Sequence, residues 1–237
     1  MAKRIRTALW KATAVVAAAV AIGACSGGGP HVRTITLTFV RHAESEANAA
    51  GVINTEVPGP GLTPDGQAQA EQIAHQLSLN HYDGIYASTM VRTQQTAAPL
   101  AEELGKRVQI LPGLREISAG WFDDKPSSMA KSTFLVAPAD WLRGDRTNAI
   151  PGSVNGDQFN DQFGGAVQKI YDSGQKNPIA FSHAQAIMYW TLMNVTNPEN
   201  SLATAHTLPN VGRVVIKGSP VTGWKMVDWD GIRDFNY

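Results

Sequence analysis

From residue 33 onward, apolar and polar positions alternate in two rhythms, and the switches between them lay out the chain. Residues 34–40 read Thr-Ile-Thr-Leu-Thr-Phe-Val, a period-two pattern that predicts a strand buried through Ile35, Leu37 and Phe39, with Val40 apolar on the opposite face. A Gly/Pro-rich loop follows at 57–61. Thr63-Pro64 then reads as an N-cap with proline at the first helical position, and Ala70, Ile73, Ala74 and Leu77 fall at helical spacing, predicting a helix over 64–79. Residues 83–87 predict a second strand. Ser88 or Thr89 is the expected cap of a helix running through Arg92, Thr96 and Leu100 to Leu104, where Gly105 ends it. A third strand is expected over 107–111. The segment 112–156, with scattered Pro, Gly, Asp and Trp, breaks the alternation and is expected to be a partly helical insertion forming a lid. A helix over 157–173, a strand over 178–182, a helix over 184–193 and closing strands over 211–217 and 224–229 complete the pattern. Short β-rich runs alternating with longer amphipathic ones predict an α/β fold: a three-layer sandwich with a mostly parallel central sheet and helices on both faces.

The first thirty residues follow neither rhythm. Lys3, Arg4, Arg6 and Lys11 precede an apolar run over 12–24 that is short for a membrane span, the pattern of a secretory signal. It ends in Ile22-Gly23-Ala24-Cys25, which resembles the bacterial lipobox, so Cys25 is the expected lipid anchor and 1–24 the cleaved leader. Residues 25–31, rich in Gly and Ser, have the composition of a flexible tether, and the folded domain is expected over 32–237. The implied location is the outer face of a bacterial cell membrane, reached through the lipid alone. This segment also distorts the charge balance. The whole chain is formally neutral, but setting its four cations aside leaves 16 Lys+Arg against 20 Asp+Glu. A mildly acidic body without a basic cluster argues against nucleic acid as a partner. The single cysteine excludes an internal disulfide.

The strand ends carry the candidate chemistry. In open α/β sheets ligands bind beyond the carboxyl ends of the strands. Arg41-His42 follows the first strand, Ser88 to Arg92 the second, Leu114-Arg115-Glu116 the third and Ser182-His183 the fourth. A phosphomonoester needs cations for its charge, a nucleophile in line with the ester bond and a proton donor for the leaving oxygen. His42 fits the nucleophile, Arg41 and Arg92 the clamp, His183 a further hydrogen bond and Glu116 the proton donor. Asp123 and Asp124 lie near enough in sequence to compete with Glu116 for that last role. His31, His75, His81 and His206 read as surface or packing residues. No two histidines stand at metal-ligand spacing on one helix, so neither metal nor other cofactor is expected.

Five ordered motifs resemble those of the histidine phosphatase superfamily, the phosphoglycerate-mutase-like group: Arg41-His42-Ala43-Glu44-Ser45 with Asn48, Leu62 to Ala70, Ser88 to Ala97, Leu114 to Ile117, and Phe181-Ser182-His183. The resemblance spans essentially everything from Thr34 to the C-terminus. It implies hydrolysis of a small phosphorylated substrate through a phosphohistidine on His42, with Asn48 as a further phosphate ligand. Three departures bear on activity. Ala43 and Ala184 replace glycines that usually follow the two histidines, and a mild backbone adjustment is the expected result. The family's Gly-x-Trp-Glu-Gly is here Gly120-Trp121-Phe122-Asp123-Asp124, and its Gly-Glu-Ser is Gly156-Asp157-Gln158. The alternatives are a catalytically weak lipoprotein that binds a phosphorylated or anionic ligand and, behind it, a mutase. The Glu-Arg-His-Tyr-Gly stretch of cofactor-dependent mutases is absent from the sequence.

Overall fold

The computed structural model describes residues 32–235; the expected leader, the tether, Cys25 and His31 lie outside the described residues. A six-stranded sheet in the order β3-β2-β4-β1-β5-β6 organises them. Strands β1 (Ile35–Arg41), β2 (Gly84–Ala87), β3 (Val108–Ile110) and β4 (Pro178–Ser182) form a parallel half. The hairpin β5 (Arg213–Ser219) and β6 (Gly223–Trp229) adds an antiparallel half beside β1.

Side-chain parity decides which layer each strand residue builds. Val40 on β1, Ile85 and Ala87 on β2, and Ile179 and Phe181 on β4 all face one side. There they meet Ala74 and Leu77 of α2 (Pro64–Ser78) and Ala97 and Leu100 of α3 (Val91–Glu103). The alternate positions, Leu37, Phe39, Tyr86 and Ala180, face the other side, toward α5 (Gly156–Asp172) and α6 (Ala184–Asn194). Phe39 lies 5.5 Å from Phe163 and 5.8 Å from Trp190, centroid to centroid. A parallel sheet covered on both faces thus makes the three layers expected from the alternation of strands and helices. The helix α1 (Glu46–Ala49) and the helix α7 (Leu202–Ala205) are single turns that the periodicity does not reveal.

Most boundaries fall within one or two residues of expectation. Thr63 caps α2, accepting from Gly66 N at 2.9 Å, with Pro64 at the first position. Two boundaries differ instructively. Helix α3 starts at Val91 behind Met90, with no side-chain cap, because the Ser88 hydroxyl is engaged elsewhere. Strand β5 starts two residues late because Val211 sits at φ +56, a left-handed conformation that strand backbone cannot use. Between β3 and α5 the chain runs through 3-10 turns at Pro112–Leu114, Gly120–Phe122 and Ser127–Ser132 and through α4 (Val136–Leu142). Among the described residues, no helix is long and apolar enough to cross a membrane.

Candidate active site

Register alone brings the two histidines together. Arg41 of β1 pairs with Ser182 of β4 in parallel, so the residues that follow, His42 and His183, leave the sheet side by side. Their rings lie 5.1 Å apart at 62°. On the other flank of β4, Ala87 pairs with Phe181, which puts Ser88 next to His183; the Ser88 hydroxyl meets His183 Nε2 at 2.9 Å. That contact, with Met90 N donating to the same hydroxyl at 3.1 Å, is what takes Ser88 away from capping α3.

The hydrogen bonds of His42 fix its tautomer. Nδ1 lies 2.7 Å from the carbonyl of Ala43, which can only accept, so Nδ1 carries the proton. Nε2 therefore carries no proton, and its lone pair accepts from Arg92 Nε at 3.1 Å. Burial pushes the pKa of His42 well below 6.5, and the Arg92 and Arg41 guanidiniums push the same way; the Ala43 carbonyl opposes them weakly. The ring is neutral near neutral pH, the state in which nitrogen is a nucleophile. His183 is lowered well below 6.5 for similar reasons: burial first, then the charge of Arg92.

Arg92 is positioned from behind. Its Nη1 donates to Asn54 Oδ1 at 3.2 Å and its Nη2 to the Asn54 carbonyl at 2.9 Å. Gly59 leaves room for this arrangement, since a Cβ there would stand 2.8 Å from both Arg92 Nη1 and Asn54 Oδ1. Burial lowers the Arg92 pKa to about 10, which leaves the guanidinium charged in neutral solution. Arg41 donates through Nη1 to the carbonyl of Leu208 at 2.7 Å. Two buried nitrogens at this edge, Arg41 Nε and His183 Nδ1, have no hydrogen-bond partner among the described residues. Leaving such atoms unpaired costs about 1–3 kcal/mol each, a cost that an anion bound here can remove.

Glu116 sits on the first turn of α6. Its Oε1 accepts from Ala186 N at 2.8 Å and Ile117 N at 2.9 Å, and its Oε2 from Gln185 N at 3.3 Å. Ser182 Oγ, donating to the Leu114 carbonyl at 2.7 Å, ties the Glu116 loop to the end of β4. Desolvation raises the Glu116 pKa above 4.5, and the backbone donors and Arg92 recover part of that shift. Asp123 is instead tied to Thr55: its Oδ1 accepts from Thr55 N at 2.7 Å and its Oδ2 from Thr55 Oγ1 at 2.8 Å. Asp124 is exposed at φ +60, a left-handed turn position where the resembling motif has glycine.

Asn48 stands apart from the buried set. It is exposed, its side chain closes the capping box of α1 with Ser45, and its Oδ1 accepts from Asn210 Nδ2 at 3.1 Å. The same Asn210 amide donates to the carbonyl of His42 at 3.0 Å, so the loop ahead of β5 holds the His42 backbone from the side. Val211, next in the chain, pays for that grip with an unfavourable φ for a β-branched residue. Ala43 is accommodated without difficulty. Its methyl packs with Leu62 and Ala70, and its N–H donates to Thr96 Oγ1 at 3.0 Å. Ala184 instead lines a cleft of about 340 Å³ together with Arg41, Lys131, Leu135 and Tyr189. Sequence reasoning did not single out Asn54, Asn210 or the Thr55–Asp123 pair. The only local hint was the glycine-rich loop that lets Arg92 and Asn54 meet. Among the described residues no group of three or more His, Cys, Asp or Glu comes together as metal ligands.

Paired histidines between two arginines at the ends of adjacent parallel strands define a class of phosphate-handling α/β domain. The chain belongs to the histidine phosphatase superfamily (branch 1), whose family model matches residues 37–230. It is 48% identical over 220 residues to PE-PGRS family protein PE_PGRS11 of Mycobacterium tuberculosis, a match covering 86% of this chain but only 38% of that protein. It is 32% identical over 171 residues to the adenosylcobalamin/alpha-ribazole phosphatase of Salmonella typhimurium, covering 70% of this chain and 82% of the relative. The solved structure of a mycobacterial glucosyl-3-phosphoglycerate phosphatase superposes with a TM-score of 0.69 over 84% of this chain and all of that one; at 18% identity this speaks to the fold alone.

Proposed function

We propose that the chain hydrolyses small phosphomonoesters in two steps through a phosphohistidine on His42. The observation that carries this reading is the unprotonated, buried Nε2 of His42, held by the Arg92 guanidinium. In the first step Nε2 attacks phosphorus, the P–O ester bond breaks, and Glu116 gives its proton to the leaving alkoxide. In the second a water attacks phosphorus, the N–P bond breaks, and the Glu116 carboxylate takes the water's proton. Arg41, Arg92 and His183 hold the phosphoryl oxygens throughout, and electrostatic clamping of this kind supplies much of the rate in phosphoryl transfer. None of these steps calls on a metal ion.

The phosphatase relative named above supports hydrolysis over a mutase. Probable phosphoglycerate mutases are also similar, one from Serratia proteamaculans at 36% identity over 151 residues, which keeps that reading second. The burial of the Ala43 methyl between Leu62 and Ala70 weighs against a chain that binds phosphate without turning it over. The cellular setting we propose is export behind a cleaved leader with a diacylglyceryl anchor on Cys25, the supporting feature being the basic, apolar and lipobox-like order of residues 1–25. The test of mechanism is phosphate release from an aryl phosphate in EDTA, with rapid-quench trapping of an acid-labile, base-stable phosphoprotein. A fully active His42→Ala variant would sink the proposal. Metabolic labelling of wild type and Cys25→Ser with a radioactive fatty acid tests the anchor.

A further inference from the structure

A second cleft, of about 460 Å³, lies along Thr55, Glu56, Arg115, Ser118 and Trp121. Trp121 is its unusual member, because 76% of this large apolar residue is exposed. Its position is not loose. Trp121 N donates to the Pro151 carbonyl at 3.0 Å, and its indole lies on Gly152, where a Cβ would come within 2.3 Å of Cδ1. The five-membered ring is thus set against bare backbone, and among the described residues the indole makes no aromatic or cation–π contact. The cleft around it is polar: the Glu56 carboxylate and the Arg115 guanidinium are both exposed, and among the described residues neither is in an ion pair. Two of its lining residues are chain neighbours of site residues. Arg115 adjoins Glu116, and Thr55, held by Asp123, adjoins the Asn54 that orients Arg92.

We infer that this cleft is a sugar-binding subsite for the leaving group, with Trp121 as the platform. A pyranose has one face of C–H bonds with slight positive charge, which suits the negative face of an indole ring, and a rim of hydroxyls that both donate and accept. Glu56 supplies acceptors, Arg115 donors and Ser118 a hydroxyl that can do either. A lipid chain finds too little apolar surface, since the ring and Val57 stand among mostly polar lining residues. A nucleobase, flat and apolar on both faces, would turn its second face toward these polar groups. The volume falls in the usual range for small-molecule sites. The inference rests on the proposed reaction at His42 for its substrate class, namely phosphomonoesters of sugars or glycosides.

Two measurements separate failure of this inference from failure of the reaction. In the His42→Ala protein, titration with methyl α-glucoside, methyl α-mannoside and methyl β-galactoside is followed through the indole N–H resonance of Trp121, assigned by its loss in Trp121→Ala. Saturable movement by at least one glycoside supports the subsite. No movement with any of them overturns it, as does a larger response to adenosine or to a short-chain lipid. In the active protein, Trp121→Ala should lower kcat/KM for glucose 6-phosphate at least tenfold more than for O-phosphoserine. Equal losses on the two substrates would overturn it.

Discussion

At the strand ends, His42, His183 and Arg92 are each fixed by neighbours that come from different elements, whereas the chain from 112 to 156 is built from short turns and leaves Trp121 and Met129 exposed. In the proposed reaction the first region handles the phosphoryl group, which is common to every phosphomonoester. The second supplies Arg115, Ser118 and Trp121, which line the cleft inferred to take the leaving group. Glu116 belongs to the second region by sequence and to the first by fixation, since α6 holds its carboxylate. A proton donor must serve both the phosphate and the variable alcohol, and its location at the seam meets that requirement.

The largest effect should come from the strand-end region. His42→Ala is expected to cut kcat by on the order of 10⁴-fold or more on every substrate, measured by phosphate release, with no phosphoprotein trapped. Glu116→Gln should cost about 10²–10⁴-fold on alkyl phosphates. The loss should be smaller on nitrophenyl phosphate, whose nitrophenolate leaves without a proton, and equal losses on both would remove Glu116 from the acid role.

The pH profile follows from opposite shifts. His42 must be neutral and its pKa is lowered, so activity survives below pH 6.5 and falls only on protonation at lower pH, by about tenfold per unit. Glu116 must be protonated for the first step and its pKa is raised above 4.5, so the first step slows as pH rises through that raised value. The optimum for kcat/KM should lie on the acid side, and Glu116→Gln should flatten the alkaline limb. Stability has its own sign. Because folding depresses the pKa of both buried histidines, their contribution is complete above the unfolded value near 6.5 and is lost as pH falls toward the folded values. Thermal midpoints should therefore drop below about pH 6.5, less steeply in His183→Gln.

Smaller effects probe the second region and the departures from the family pattern. Asp123→Ala leaves Thr55 N and Oγ1 without their acceptor and should destabilise the fold by about 1–3 kcal/mol, visible in urea unfolding. Ala43→Gly removes a buried methyl and should cost about 1 kcal/mol, or a few degrees in Tm. Its kcat should stay within about twofold of wild type, because the methyl faces Leu62 and Ala70 rather than the phosphate site.

What could be read in the sequence was whatever a local pattern encodes. Period-two runs mark Phe39 and Val40 as opposite faces, Gly105 and Pro64 punctuate helices, and the residues just past each strand are candidates by topology alone. The partners of those candidates were hidden for a physical reason. Asn54 meets Arg92 across 38 positions and Asn210 meets His42 across 168, both from irregular loops without periodicity. Ser88 shows a second limit. Its hydroxyl can cap a helix or face an imidazole, and only the register of β2 against β4 decides between them.

The contact between Glu116 and the start of α6 bears on timing within the catalytic cycle. A neutral carboxyl offers the amides of Gln185 and Ala186 a weak acceptor, and a carboxylate offers a strong one. In the proposed cycle the first turn of α6 is then held more tightly after the alcohol has left and more loosely once water has reprotonated the acid. Exchange rates of those two amides would act as a clock hand, reporting which half of the cycle the molecule occupies.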